Sequence, residues 1–465
     1  MPTVRRRKRW IALAILVVLA VIPFLRAGAK RPVTRRIERY QDRGGHEFVR
    51  VESGRAGHED LVILAFSGGG TRAAAFSYGV LEALRKIELT ERDGSRMRLL
   101  DEVDVITGVS GGSFTALAYG LQGERLFDTY EDAFLKRNIQ GELLKRVIDP
   151  RNWRALTSKG WGRSELAADL YDELLFHGAT FADLEKAGGP TVVVGATDLS
   201  TGSRLVFAPQ NFDVMCAELS DFRLARAAAA SSAVPVVLSA VTIDNYGGSC
   251  DYTTPGWLQP FLEARKPPRP AGRVMRRLRE LRTIDENVKD RYMHLVDGGL
   301  ADNLGLRGVL NVVETFEALQ MTGQPTPLDH TRRLIVFVVN SVSTPKFDWN
   351  EREDPPRDFN ALAKIAGVPI DRYANESVEL LKDIGARWAM LRELHVGRAP
   401  NVEIYPIEVS FQAIEDEGER QRLNQIPTSL HLPVEAIDAL RAAAASIVLG
   451  SPELHEALGD EWTNR

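Results

Sequence analysis

The chain has 465 residues, of which 44% are hydrophobic and 26% charged. Those are the proportions of a folded globular protein, not of a disordered or polytopic membrane one. The net charge of −4 offers no electrostatic case for nucleic acid, and no helix-turn-helix, zinc-finger or aromatic–basic RNA pattern accompanies it.

The N-terminus departs from this average. Arg5, Arg6, Arg7, Lys8 and Arg9 precede an apolar run from Trp10 to Leu25, and Arg26, Lys30, Arg31, Arg35, Arg36 and Arg39 follow it. Eleven basic residues against Glu38 give the first 39 residues about +10 and leave the remainder about −14. A basic stretch followed by an apolar one is an export or membrane signal. Ala27-Gly28-Ala29 has the small-x-small pattern of a cleavage site. The apolar run is long for a signal-peptide core and short for a full span, so residues 1–29 read as a cleaved signal or a retained anchor. Residues 30–58 read as a basic linker.

From residue 59 short apolar runs alternate with helical stretches, the pattern of an α/β layered domain with a largely parallel sheet. Leu61–Phe66 is expected as a strand running into Ser67-Gly68-Gly69-Gly70, with a helix from Thr71 to about Ile87. Three glycines at a strand end let main-chain N–H groups converge on one point, as an acyl-transfer oxyanion hole requires. A nucleotide-phosphate cradle and a plain tight turn are the rivals, although the Lys-Ser/Thr of a P-loop is absent. Arg72 is placed to hold the loop or a phosphate.

Val103–Thr107 is expected as the second strand. It leads into Gly108-Val109-Ser110-Gly111-Gly112, which fits G-x-S-x-G, and then into a helix through Tyr119. Between strand and helix this is a nucleophile elbow: the turn is tight, the serine backbone strained, and Gly108, Gly111 and Gly112 avoid side-chain clashes. The following helix turns its N-terminus toward developing negative charge.

Residues 124–180 read as mainly helical, with Trp153 and Trp161 among charged residues, forming either a cap over a site or a surface layer. Thr191–Ala196, Leu205–Phe207, Tyr292–Val296, Leu334–Val339 and Val402–Ser410 are further candidate strands. Cys216 and Cys250 are the only cysteines; in an exported protein they permit one disulfide worth about 3 kcal/mol. Around Pro267-Pro268-Arg269-Pro270 an arginine-dense segment from Arg265 to Arg282 suits anionic lipid head groups or a plain solvated helix.

No histidine after Ser110 occupies an evident strand-end loop; His294, mid-strand, reads as a packing residue and His431 as a packing or surface one. Asp297 does occupy one, opening Asp297-Gly298-Gly299 after the strand Tyr292–Val296. A carboxylate there can reach a serine on a neighbouring strand end, and in a water-poor site its pKa can rise toward the working range of a general base.

In this order the glycine loop, the G-x-S-x-G elbow and Asp297-Gly298-Gly299 resemble the patatin-like phospholipase family. Ala196-Thr197-Asp198-Leu199-Ser200-Thr201-Gly202 and Ala229-Ala230-Ser231-Ser232-Ala233-Val234-Pro235 add to the likeness over roughly residues 59–310. Asn424-Gln425-Ile426-Pro427-Thr428 looks like the tail of bacterial members. The resemblance implies a three-layer α/β/α fold with a catalytic domain at 59–310 and an α/β extension at 311–465. It implies calcium-independent hydrolysis of acyl lipids with no cofactor or metal, Ser110 as nucleophile, Asp297 as base and the Gly68–Gly70 amides as oxyanion hole. Acyl lipid and a membrane surface are the partners it implies, at a bacterial inner membrane or periplasm. Two positions depart from the family's usual loop, Ser67 where Asp is common and Ala73 where Gly is, which bears on substrate fit. A Ser-His-Asp esterase and a catalytically silent lipid-binding protein of the same fold are the alternatives.

Overall fold

The computed structural model describes residues 31–41, 59–90, 94–235, 237–255, 272–321, 323–345, 348–351, 353, 359–394 and 400–464. The signal or anchor at 1–29, linker residues 42–58, and Arg265, Lys266 and Pro267–Pro270 lie outside the described residues. Among the described residues no helix is long and apolar enough to cross a membrane.

A mixed, mostly parallel sheet organises the chain. Its strands are β1 (Asp60–Phe66), β4 (Val103–Val109), β5 (Thr191–Asp198), β6 (Arg204–Phe207), β7 (Val241–Asp244), β8 (Tyr292–Val296), β9 (Arg333–Asn340) and β10 (Glu403–Ser410). They run in the order β10-β9-β1-β4-β5-β8-β7, with β6 beside β5. β10, β9, β1, β4 and β5 are parallel, while β6, β8 and β7 are antiparallel to their neighbours. A small separate sheet joins β2 (Ile87–Thr90) to β3 (Arg96–Arg98) and β11 (Trp462–Asn464).

The central strands are apolar on both faces because both are covered. Val62, Leu64, Phe66 and Ile106 pack with helices α1 (Thr71–Lys86), α2 (Gly111–Gln122), α6 (Leu224–Ser231) and α10 (Val434–Leu449). Leu61, Ile63, Ala65 and Val105 face the opposite layer, built from α7 (Gly272–Glu286), α8 (Leu306–Met321) and α9 (Phe359–Glu393). This is the three-layer α/β/α arrangement. The stretch 124–180 forms short helices, including α3 (Ile139–Ile148), α4 (Pro150–Leu156) and α5 (Arg163–Tyr171). They pack onto the first core, with Phe114 against Phe134 and Tyr171, and so extend its helical layer.

Part of the expected linker is a docked strap. Arg31 pairs with Asp244, whose carboxylate also accepts from Thr34 N. Ile37 N donates to Cys216 O and Tyr40 N to Cys250 O. Those two cysteines are bridged, so the disulfide loop is the ledge on which the strap lies.

Candidate active site

Register brings the three glycine-rich loops together. Phe66 pairs with Gly108 and Val109 with Gly195, so the loops after β1 and β4 leave the sheet side by side. β8 arrives differently from the expectation of neighbouring parallel strand ends. It is antiparallel to β5 and overlaps it only at Thr197↔Val296 and Asp198↔Leu295. The next residue along, Asp297, therefore comes to the level where β4 ends. Asp297 N donates to Ala233 O and Thr197 Oγ1 to Asp297 O, which fixes the main chain at that point.

Ser110 is buried and has φ 48° and ψ −117° as the N-cap of α2. A positive φ on a non-glycine residue is strained and persists only where its surroundings hold it. Here Ser110 N donates to Ser231 Oγ, Ser231 Oγ donates to Gly195 O, and Ser113 Oγ donates to Ser110 O. The glycines serve close approach: a Cβ at Gly111 would lie 2.0 Å from Gly70 O, and one at Gly112 2.7 Å from Phe66 O. Ser110 Oγ donates to Asp297 Oδ2 at 2.7 Å, while Gly299 N donates to Asp297 Oδ1 at 2.8 Å. Gly298 lies against Gly195, where a Cβ would come within 2.3 Å of Gly195 O. Asp297 keeps some solvent contact, yet it is enclosed enough that desolvation raises its pKa to about 6, against the lowering effect of the Ser110 and Gly299 bonds.

The glycine loop needs one correction. Gly68 N donates to Asn303 O at 2.9 Å, so this amide is already engaged and Gly68 contributes space: a Cβ there would sit 2.5 Å from Asn303 Oδ1 and 3.3 Å from Ser110 Cβ. Gly69 and Gly70, with φ 143° and 62°, have no main-chain acceptor among the described residues. Gly111, as the first residue of α2, also has none inside its helix. These three amides are the available donors.

Arg72 holds the loop. It is buried, donating from Nε to Ser341 O and from Nη1 to Ser343 Oγ and Ile426 O; burial lowers its pKa to about 10, which leaves it charged at neutral pH. Ser67, at the position of departure, accepts from Ser341 N, and Ser341 Oγ donates to Gly68 O. Thr71 N donates to Ser429 O. His294, expected to pack, is exposed with Nδ1 3.0 Å from Thr242 Oγ1, and His431 is exposed. No histidine among the described residues hydrogen-bonds to Ser110 or Asp297.

A family model described as patatin-like phospholipase matches residues 64–310, just over half of the chain. The chain belongs to the patatin-like phospholipase family. Among solved structures, this patatin-like chain is similar to human GIVD cytosolic phospholipase A2, at 11% identity over 85% of this chain and 61% of that one, with a TM-score of 0.37. The same human protein in complex with methyl γ-linolenyl fluorophosphonate matches at 13% identity over 86% and 57% of the two chains, with a TM-score of 0.34. The chain thus spans about three fifths of the length of those proteins. No curated protein matches it.

A cavity of about 580 Å³ in this patatin-like chain lies beneath the site. Val109 and Gly298 line it, but Ser110 and Asp297 do not. The positioning roles of Ser231, Asn303, Ser341 and Ser429 were not read from the sequence. Ser341 carried a faint signal, as a small polar residue just past the apolar run of β9.

Proposed function

We infer that this chain is a lipid acyl hydrolase in which Ser110 attacks the ester carbonyl and Asp297 takes the Ser110 proton. The observation that carries this is the 2.7 Å bond from Ser110 Oγ to Asp297 Oδ2, made by a serine in a strained elbow at a helix N-terminus. Oγ bonds to the carbonyl carbon as its proton passes to Oδ2. The resulting oxyanion accepts from the Gly69, Gly70 and Gly111 amides, each such donor being worth about 2.7–4 kcal/mol. The proton then leaves with the alcohol as the C–O bond breaks. Water, deprotonated by Asp297, next releases the fatty acid from Ser110.

The reading extends to a membrane surface outside the reducing cytosol. The Cys216–Cys250 bridge supports an oxidising compartment, as does the basic–apolar pattern of residues 5–25. Leu144 and Ile148 on α3 and Trp153 on α4 are exposed beside Lys145, Arg151 and Arg154, a composition that suits a lipid interface. This patch adjoins the glycine loop: Gln140 N donates to Leu430 O, and Ser429 binds both Gln140 and Thr71.

The test is fatty-acid release by the purified full chain, wild type beside Ser110→Ala, from defined phospholipids, lysophospholipids and triacylglycerols. Release by wild type and none by the variant is expected. No release from any lipid by wild type would overturn the reading.

A further inference from the structure

We propose that the Asn303 carboxamide holds the water that deacylates Ser110, and so directs the acyl group to water and not to a second alcohol. This deepens the hydrolase reading and rests on it. Asn303 follows the short helix Gly299–Asp302, at the far end of the Asp297 loop. Its main chain is pinned to the glycine loop by Gly68 N, which donates to Asn303 O at 2.9 Å.

The side chain stands between the two loops that carry the chemistry. A Cβ at Gly68 would lie 2.5 Å from Asn303 Oδ1 and 3.3 Å from Ser110 Cβ. One at Gly299 would lie 2.8 Å from Asn303 Oδ1 and 2.9 Å from Asp297 Oδ1. The same amide oxygen therefore faces the nucleophile across one glycine and the base across the other, and a single water can bridge it to the carboxylate. Asn303 is half-buried, and among the described residues nothing hydrogen-bonds to its carboxamide. A side chain that served only as a wedge would gain by being apolar, because an enclosed amide without a partner costs free energy.

Water has two hydrogens to place. At the acyl-enzyme, one passes to the Asp297 carboxylate, which acylation has released from the Ser110 hydroxyl, and Asn303 Oδ1 accepts the other. The water oxygen bonds to the ester carbon, the bond from that carbon to Ser110 Oγ breaks, and Oγ recovers the proton from Asp297 as the fatty acid leaves. An alcohol has only one such hydrogen. Once Asp297 has taken it, the alkyl group lies against the carboxamide and leaves it unmet. The oxyanion amides treat both nucleophiles alike, so Asn303 is the group that tells them apart.

The experiment follows p-nitrophenyl octanoate with the full chain in water containing methanol, measuring p-nitrophenol, octanoic acid and methyl octanoate together. Per mole of reagent the wild type should choose water over methanol, a readout that needs no variant. Asn303→Leu keeps the wedge and Asn303→Ala empties it, yet both remove the acceptor. Each should still give a burst of p-nitrophenol and acyl-Ser110 detectable by mass, followed by deacylation slowed about 10²-fold. In each the ratio of methyl ester to acid should rise about fivefold to tenfold. A wild type that prefers methanol, a ratio unchanged in both variants, or one kept at the wild-type value by Asn303→Leu and altered only by Asn303→Ala would overturn the assignment and leave the hydrolase reading standing. No p-nitrophenol from the wild type would overturn both.

Discussion

Asp297 faces two conflicting demands. As the base of the proposed reaction it would have to be ionised, yet its enclosure favours the neutral acid and raises its pKa to about 6. Acylation is therefore expected to rise with pH through about 6 and then level, which a kcat/KM profile on a soluble ester would check. A profile flat from pH 5 to 8 would exclude Asp297 as the base. The same shift sets stability. A carboxyl whose folded pKa lies above its unfolded value of 3.8 binds its proton more tightly when folded. Its contribution is full below about pH 4 and lost as pH rises through about 6. Asp297→Asn keeps the shape and can still accept from Gly299 N without the ionisation cost. We expect it to abolish hydrolysis and to stabilise the protein at pH 8 by up to about 3 kcal/mol, less whatever partial solvent contact screens. That gain should shrink toward pH 4.5 in denaturant melts. Equal destabilisation at both pH values would contradict this account.

Element by element, the elbow and the glycine loop work as one unit because their backbones touch. A Cβ on Gly111 would sit 2.0 Å from Gly70 O, so Gly111→Ala must push α2 and the loop apart. We expect a modest stability loss of about 1–3 kcal/mol but a fall in kcat of about 10²–10³, the size of losing an oxyanion donor. KM for a short-chain ester should change little; a variant as active as wild type would show that these amides do not act together. These elements were legible in sequence because long apolar runs ending in glycine clusters have few other structural meanings. Strands read in this way are β1, β4 and β8; these and β5, read from its apolar run alone, are each found within two residues of their expected ends. β2, β3 and β11 were not legible: Ile-Glu-Leu-Thr, Arg-Met-Arg and Trp-Thr-Asn are too short for a period to emerge. Which amide of Gly68–Gly70 is spent on Asn303 was equally hidden, since that partner lies 235 positions away in the chain.

At the scale of the molecule, the disulfide holds together the ledge on which the strap lies. Its 34-residue separation corresponds to about 3–4 kcal/mol in the loop-entropy account. Paired Cys216→Ala and Cys250→Ala should lower the melting temperature and expose the 31–41 strap to protease before the rest of the chain; protection equal to wild type would show that Arg31–Asp244 suffices to hold it.

The larger dependence is on the residues after 310. The family resemblance implies a catalytic domain at 59–310, and both residues of the proposed dyad fall inside it, yet β1 is an interior strand whose other neighbour is β9, paired from Asp60↔Arg333 to Phe66↔Val339. Every residue of β9 is buried. Its six apolar side chains from Leu334 to Val339 alone represent on the order of 10 kcal/mol of burial, comparable to the whole stability of a domain. Helix α10 packs so tightly on α1 that a Cβ at Gly79 would lie 2.5 Å from Arg441 O. The site leans on the same region through Ser341, Ser343, Ile426 and Ser429, which hold the glycine loop and Arg72. A chain ending at residue 310 would expose the edge of β1 and release that loop. We expect it to give no cooperative melt and no esterase activity, whereas adding 311–465 as a separate chain should restore part of both by re-pairing β9 with β1. A 59–310 fragment that melts cooperatively and hydrolyses ester alone would mean that the later strands decorate the sheet and do not complete it.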